Sequence, residues 1–280
     1  MRTTAHVVED SIANGVRLTT IEVTFHRFVL AEFNTHRVFS RNSASSRAIP
    51  VKKQLERVIE SPAFPISWPR EQPGMQGGTE LEGQDLASAE ELFAAIHASV
   101  TGLVSAYVDA HPDPEHRLHK SVLNRPLETF MWHTVVVTAT EWDNFFGLRC
   151  SPMAQPEIRV AAEMMREAFN KSVPTSRSVG EWHLPYVTDE ERHIVPGPQL
   201  RQISVARCAR VSSLHAGDVG DYEKDYRLFE TLTGAVPPHA SPLEHVATPC
   251  DATAHAAGEL THGNFSKWHQ LRHLTPAAQS

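Results

Sequence analysis

The sequence predicts an α+β fold, a helix-rich single domain over residues 1–280 wrapped around a small sheet. Three observations carry this. Residues 18–25, LTTIEVTF, alternate Ile21, Val23 and Phe25 against Thr20, Glu22 and Thr24, the pattern of a strand with one buried face. Residues 88–107 place Leu92, Ile96, Val100, Leu103 and Tyr107 at helical spacing. A second helical block runs from about 127 to 170, broken at 150–152, with Ile158, Ala161, Ala162, Met165 and Phe169 as its last apolar stripe.

Taken in order, the strand is followed by FVLAEF, which starts a helix leading into His36 and Arg37. Asn42 and the serines after it are poor helix formers, so a helix end or turn is expected at 40–46, leaving N–H groups free for an anion. Residues 61–84 hold four prolines and four glycines and read as a long loop, functional or mobile. Ser88, with Glu91 three positions on, is the expected N-cap of the next helix, which HPDPEH ends. Residues 173–198 are punctuated by Pro and Gly and read as irregular. An apolar pattern returns in QISVARCARVSS, and DYEKDYRLFETLT reads as a short amphipathic helix.

Composition excludes several classes. A net charge of −7 argues against sequence-independent nucleic-acid binding. No signal-peptide core opens the chain, and no apolar run approaches the ~18 residues of a membrane span. Three dispersed cysteines, Cys150, Cys208 and Cys250, do not form a disulfide framework, so a reduced, cytoplasmic protein is expected.

For chemistry, His116/His119 and His269/His273 have helical spacing but no HExxH or CxxC frame, so hydrogen-bonded histidines are favoured over a metal site. There is no Walker A loop and no GxGxxG. Cys150 follows Arg149, a context that can activate a thiol, although a small buried cysteine is the plainer reading. Three constellations remain: THRVFSRNSASSR, TEWDNFFGLRCSPMAQPEIR, and HASPLEH. The first reads as an anion cradle or a solvated basic loop. In the second, Arg149 needs an anionic or hydrogen-bonding partner, either a ligand or an internal carboxylate such as Glu141 or Glu157. The third reads equally as a helix N-terminus, with Ser241 as N-cap, Pro242 at N1 and Glu244 at N3.

These blocks resemble the flavin-dependent thymidylate synthases. Thr35-His36-Arg37, seven residues and then Ser45, with Asn42 and Arg47, are similar to that family's signature. Asn144, Arg149, Ala154-Gln155 and Glu157-Ile158 resemble its second block, and ARVSS (209–213) and HASPLEH (239–245) its remaining two. The order differs. The blocks that open a typical member stand here at about 203–248, which implies a circular permutation, and GNFSKWHQLRHL resembles a decayed copy of the segment preceding the signature.

The resemblance implies methylation of dUMP to dTMP, with FAD as cofactor and methylenetetrahydrofolate and NADPH as co-substrates, in a homotetramer whose subunits share sites. By it, Ser45 and Arg149 are catalytic. Ser45, Arg47, Arg149 and Gln155 bind the nucleotide. His36, Arg37, Asn42, Asn144, Ser212, His239, Ser241 and Glu244 bind the flavin. Neither metal, nucleic acid nor membrane is implied. Thr35, Ser43 and Met153 depart from the family pattern and each removes a polar contact, for which Arg27, Arg41, Arg125 or Glu141 could compensate. The departures leave two alternatives open: hydroxymethylation or dCMP-directed chemistry, or a non-catalytic nucleotide-binding relative.

Overall fold

Asn14 and Gly15, at φ 52° and 72°, close a two-residue hairpin between β1 (Thr4–Ala13) and β2 (Val16–His26). Positive φ at both positions is what such a turn demands, and Asn-Gly tolerates it. The computed structural model describes residues 2–45, 47–211, 220–251 and 263–275.

After β2 comes the expected short helix, α1 (Leu30–Asn34). The turn expected at 40–46 is instead largely strand β3 (Ser40–Ser43), followed by helices α2 (Val51–Glu60), α3 (Gly83–Ala110) and α4 (Lys120–Leu123). The long helical block is also corrected. It opens with a 3-10 turn (Pro126–Phe130) and continues as strand β4 (Trp132–Ala139), and only α5 (Asp143–Arg149) and α6 (Pro156–Lys171) are α-helical. Strand β5 (Thr175–Ser176) and helices α7 (Asp189–Ile194), α8 (Gly197–Ala209) and α9 (Tyr222–Gly234) follow. Strands β6 (Ala247–Pro249) and β7 (Trp268–Gln270) pair antiparallel, and a one-turn helix, Leu271–Leu274, follows.

The main sheet has the order β3-β4-β2-β1-β5, antiparallel except for β1 with β5. One face carries Ile21, Val23, Phe25, Val135, Val137 and Ala139 against Phe145, Ile158 and Met165 of α5 and α6. The opposite face was expected to meet solvent, yet Thr20 and Thr138 are fully buried. The segments after β5 cover it, with Cys208 of α8 packed on Val136. A buried polar face must be hydrogen-bonded, and this one is.

Helix α3 begins five residues before Ser88, with Glu82 at its N-cap. The predicted stripe is largely on the surface: Leu103 is 73% exposed and Leu92 57%, while Thr101, Val104 and Val108 face the core. By length and composition α3 is long and apolar enough to cross a membrane, contrary to expectation. HASPLEH is a 3-10 turn, Ser241–Glu244, with Ala240 at its N-cap, so the expected helix N-terminus is absent there. The tail packs into the fold: Trp268 is fully buried, and Gln270 donates to Ser40 Oγ (2.9 Å) and to Glu244 O (3.0 Å).

Candidate active site

The site assembles around His36, at the end of α1. Arg149 closes α5 and reaches across to it: its Nε donates to His36 Nε2 at 2.9 Å. Its second nitrogen donates to Thr35 Oγ1 (3.0 Å) and to the Glu32 carbonyl (3.2 Å). Arg41, on β3, donates to the carbonyls of His36 (3.2 Å) and Phe33 (3.4 Å). Both guanidinium groups therefore rest on neutral acceptors. Neither forms an ion pair with a carboxylate among the described residues, and the internal salt bridge to Glu141 or Glu157 does not form. Glu157 instead accepts the Ile66 N–H (3.0 Å).

His36 is held neutral. Burial, then the charges of Arg149 and Arg41, lower its pKa to about 4. Since Nε2 accepts from Arg149, its proton sits on Nδ1. The ring is braced edge-on by Phe145, 4.9 Å between centroids. Arg37, next to His36 in the chain, and Arg47 are exposed, with no hydrogen-bond or ion-pair partner for either guanidinium among the described residues. The set combines fixed cations with an uncharged imidazole, the composition of a phosphate or anionic-ring site.

The other expected residues divide. Asn42 on β3 meets HASPLEH: with its amide correctly oriented, nitrogen donates to Arg41 O (2.9 Å), Ser241 O and His245 Nε2 (both 3.3 Å). Glu244 pairs with Arg272, and its charge opposes the lowering of the Arg41 pKa by burial. Ser45 receives the Arg47 backbone N–H (3.3 Å) and borders a small crevice with His133 and Thr134. Gln155 is exposed and lines a different cleft of about 850 Å³, with Trp68, Phe93 and Met153. Asn144 and His239 are exposed. Ser212 lies outside the described residues.

Three of the four residues expected to compensate for the departures have partners away from His36. Arg27 and Arg125 both serve Glu128 (2.9 and 3.0 Å), and Glu141 meets Ser266 (3.4 Å). Arg41 alone of the four stands at His36. Thr35 uses its hydroxyl to receive Arg149. Cys150 is no activated thiol, because burial raises its pKa despite Arg166. Sequence reading noted His245 within HASPLEH without giving it a role and passed over Gln270 and Arg272, which lie in the tail read as decayed.

The family profile of the thymidylate synthase complementing protein matches residues 10–175. The chain belongs to the thymidylate synthase complementing protein family. Membership bears out, at family level, the resemblance to flavin-dependent thymidylate synthases. Among curated proteins no sequence match is found. Among solved structures the chain is similar to a UMP/dUMP methylase, PolB, from Streptomyces cacaoi bound with 5-Br UMP, at 15% identity and TM-score 0.48, over 60% of this chain and 89% of that one. It is also similar to thymidylate synthase X from Helicobacter pylori with FAD and dUMP, at 16% identity and TM-score 0.38, over 54% and 67%. The family match spans His36, Asn42, Ser45 and Arg149 but stops short of HASPLEH.

Proposed function

We propose that the chain is an FAD-dependent methylase that converts dUMP to dTMP, taking the carbon from methylenetetrahydrofolate and electrons from NADPH. The observation that carries this is the pair Arg41 and Arg149, two cations around a neutral His36, neither in ion-pair contact with a carboxylate among the described residues. A half-buried guanidinium cannot shed its charge, so an anionic ligand is the partner it lacks. The donor set fits a nucleotide phosphate or flavin diphosphate. When bound, the flavin supplies hydride chemistry that amino-acid side chains lack.

The chain's own residues position and polarise. Arg149, fixed by three hydrogen bonds, is the group for negative charge developing on the pyrimidine ring. His36 holds that guanidinium in place and, being neutral, adds no competing charge. Ser45 and Arg47 belong to the nucleotide and Gln155 to its rim. Arg37, Asn42, Asn144, Ser212, His239, Ser241 and Glu244 belong to the flavin side. The packing of the 3-10 turn Ser241–Glu244 on β3 supports the permuted reading, because a C-terminal block returns to the signature strand. Exposed Leu92, Ile96 and Leu103 support a homo-oligomer.

The test is the visible spectrum of the purified protein. A flavin spectrum, bleached by NADPH and restored anaerobically by dUMP with methylenetetrahydrofolate, is expected, with a product of the mass of dTMP. A product carrying a hydroxymethyl group would replace this reading with the hydroxymethylase. Protein that binds no FAD would end it.

A further inference from the structure

A chain of buried polar groups crosses the sheet from the Asn42 amide to Glu9. Asn42 meets His245 Nε2 (3.3 Å), and His245 Nδ1 meets Thr138 Oγ1 (2.8 Å). Thr138 meets Thr20 (2.7 Å), Thr20 meets His183 Nε2 (2.8 Å), and His183 Nδ1 meets Ser11 Oγ (2.9 Å). Ser11 donates to Glu9 at 3.5 Å, and Arg177 and Arg192 hold that carboxylate at 3.0 and 2.7 Å. His183, His245, Ser11, Thr20 and Thr138 are all fully buried.

The polarity of the chain follows from its ends. Arg41 O and Ser241 O can only accept, so the Asn42 nitrogen must face them, and His245 Nε2 beside it must accept too. A neutral imidazole that accepts at Nε2 donates from Nδ1. Burial keeps His245 neutral, with a pKa of about 3, and keeps His183 well below its ordinary value. Thr138 then receives His245, passes its proton to Thr20, and Thr20 donates to His183 Nε2. His183 donates from Nδ1 to Ser11, whose hydroxyl faces the Glu9 carboxylate. Every donor points the same way, with no group left to choose.

We propose that this chain is a positioning relay that locks the Asn42 amide with nitrogen inward and Oδ1 toward the ligand, so that the ligand group met there is an imide N–H. The inference rests on the proposed function, which supplies two sources of that chemistry: the N3–H of uracil and the N3–H of the flavin ring. His245, Thr138, Thr20 and His183 are positioning residues, since they act through Asn42.

Two experiments test it. In [15N]histidine-labelled protein, both His183 and His245 are expected as Nδ1–H tautomers; Nε2–H at either overturns the relay. The second compares binding of dUMP with 3-methyl-dUMP, and of FAD with 3-methyl-FAD, in wild type, Thr20→Val, Thr20→Ser and Ser11→Ala. Methylation removes the imide proton. Discrimination against one methylated ligand is expected to fall about tenfold in Thr20→Val and Ser11→Ala and to return in Thr20→Ser. Loss in the dUMP arm assigns Asn42 to the pyrimidine, and loss in the FAD arm assigns it to the flavin. A purely structural role would weaken both members of a pair equally and leave the ratio unchanged, which overturns the inference while the proposed function stands. Wild-type protein that binds neither dUMP nor FAD ends both. Ser11→Ala, at the far end from Asn42, serves if Thr20→Val does not fold.

Discussion

Arg149 Nε lies 2.9 Å from His36 Nε2, joining two residues 113 positions apart through a hydrogen bond that requires the imidazole to be neutral. The pairing decides what each residue is for. His36 is saturated on the Arg149 side and cannot be a cationic phosphate ligand. Arg149 is aimed by one neutral ring, one hydroxyl and one carbonyl, so none of its hydrogen-bond partners neutralises its charge.

Arg149→Lys is therefore expected to behave nearly like Arg149→Ala. An ammonium cannot fork onto three acceptors in two directions, and it is more strongly hydrated. A lost charge-assisted contact costs about 1.5–3 kcal/mol, so kcat/KM for the nucleotide should fall roughly 10- to 150-fold in both variants. Steady-state kinetics with dUMP checks this. Wild-type kcat/KM in Arg149→Lys would place the ligand elsewhere.

Stability should decline as pH falls from 6.5 toward 4. Burial and nearby arginines hold His36 and His133 at about 4, against an unfolded value near 6.5. A depressed histidine pKa favours the folded state above the unfolded pKa, and that advantage shrinks as the unfolded chain takes up protons the fold refuses. At pH 5 each such group costs about 2 kcal/mol. Urea midpoints at pH 7.5, 6 and 5 measure the loss, and His36→Gln should flatten the dependence by one proton. A flat wild-type profile across this range would contradict the burial of both rings.

Most of the helices were legible in the sequence, and most of the sheet was not. In β2 the alternation is real, but both faces are buried, so Thr20 reads as solvent-facing when it carries a hydrogen bond. Strand β4, WHTVVVTA, lies at the centre of the sheet, where burial on both faces erases alternation and leaves an apolar run that fits a helix equally well. Strand β1 was passed over although Asn14-Gly15 marks its hairpin. The site residues on the signature and at Arg149 were legible as motif, because residue types at fixed spacing record chemistry. Their partners Thr138, His183 and Gln270 carry no local signal. They become visible only once the chain has folded over the sheet.

Arg207 is the group most expected to break the fold when changed. It is 1% exposed on α8 and grips Glu191 with two nitrogens (2.6 and 2.8 Å), while its Nε meets Asp225 of α9 at 3.1 Å. Arg210 meets the same Asp225 at 2.6 Å. Removing one partner strands buried carboxylates, so Arg207→Gln should cost about 3–5 kcal/mol in urea unfolding. Replacing Arg207, Arg210, Glu191 and Asp225 together with apolar residues should cost less than the single change. A single-variant loss below about 1 kcal/mol would mean that water reaches the cluster.

The loop at 61–84 is expected to be a lid over the one-carbon donor. It folds back on itself: Arg70 donates to Thr79 O, Gly78 to Arg70 O, and Leu81 to Trp68 O, each at 2.8 Å. Glu80 ties the base by accepting from Ser67 and from the Trp68 N–H. Trp68 packs edge-on against Phe93, and the cleft beneath it reaches Gln155 on the rim assigned to the nucleotide. Gly77 is where this structure can be loosened without touching the cleft's polar groups, since a Cβ there would lie 2.3 Å from Pro69 Cβ. Gly77→Ala must push the two limbs apart. The expected result is a KM for methylenetetrahydrofolate raised about tenfold, with dUMP affinity and thermal midpoint unchanged, because the limbs pack on α3 and not on His36 or Arg149. Shortening the loop between 70 and 78 should raise that KM further. If folate-dependent turnover survives the deletion intact, the loop is not the lid.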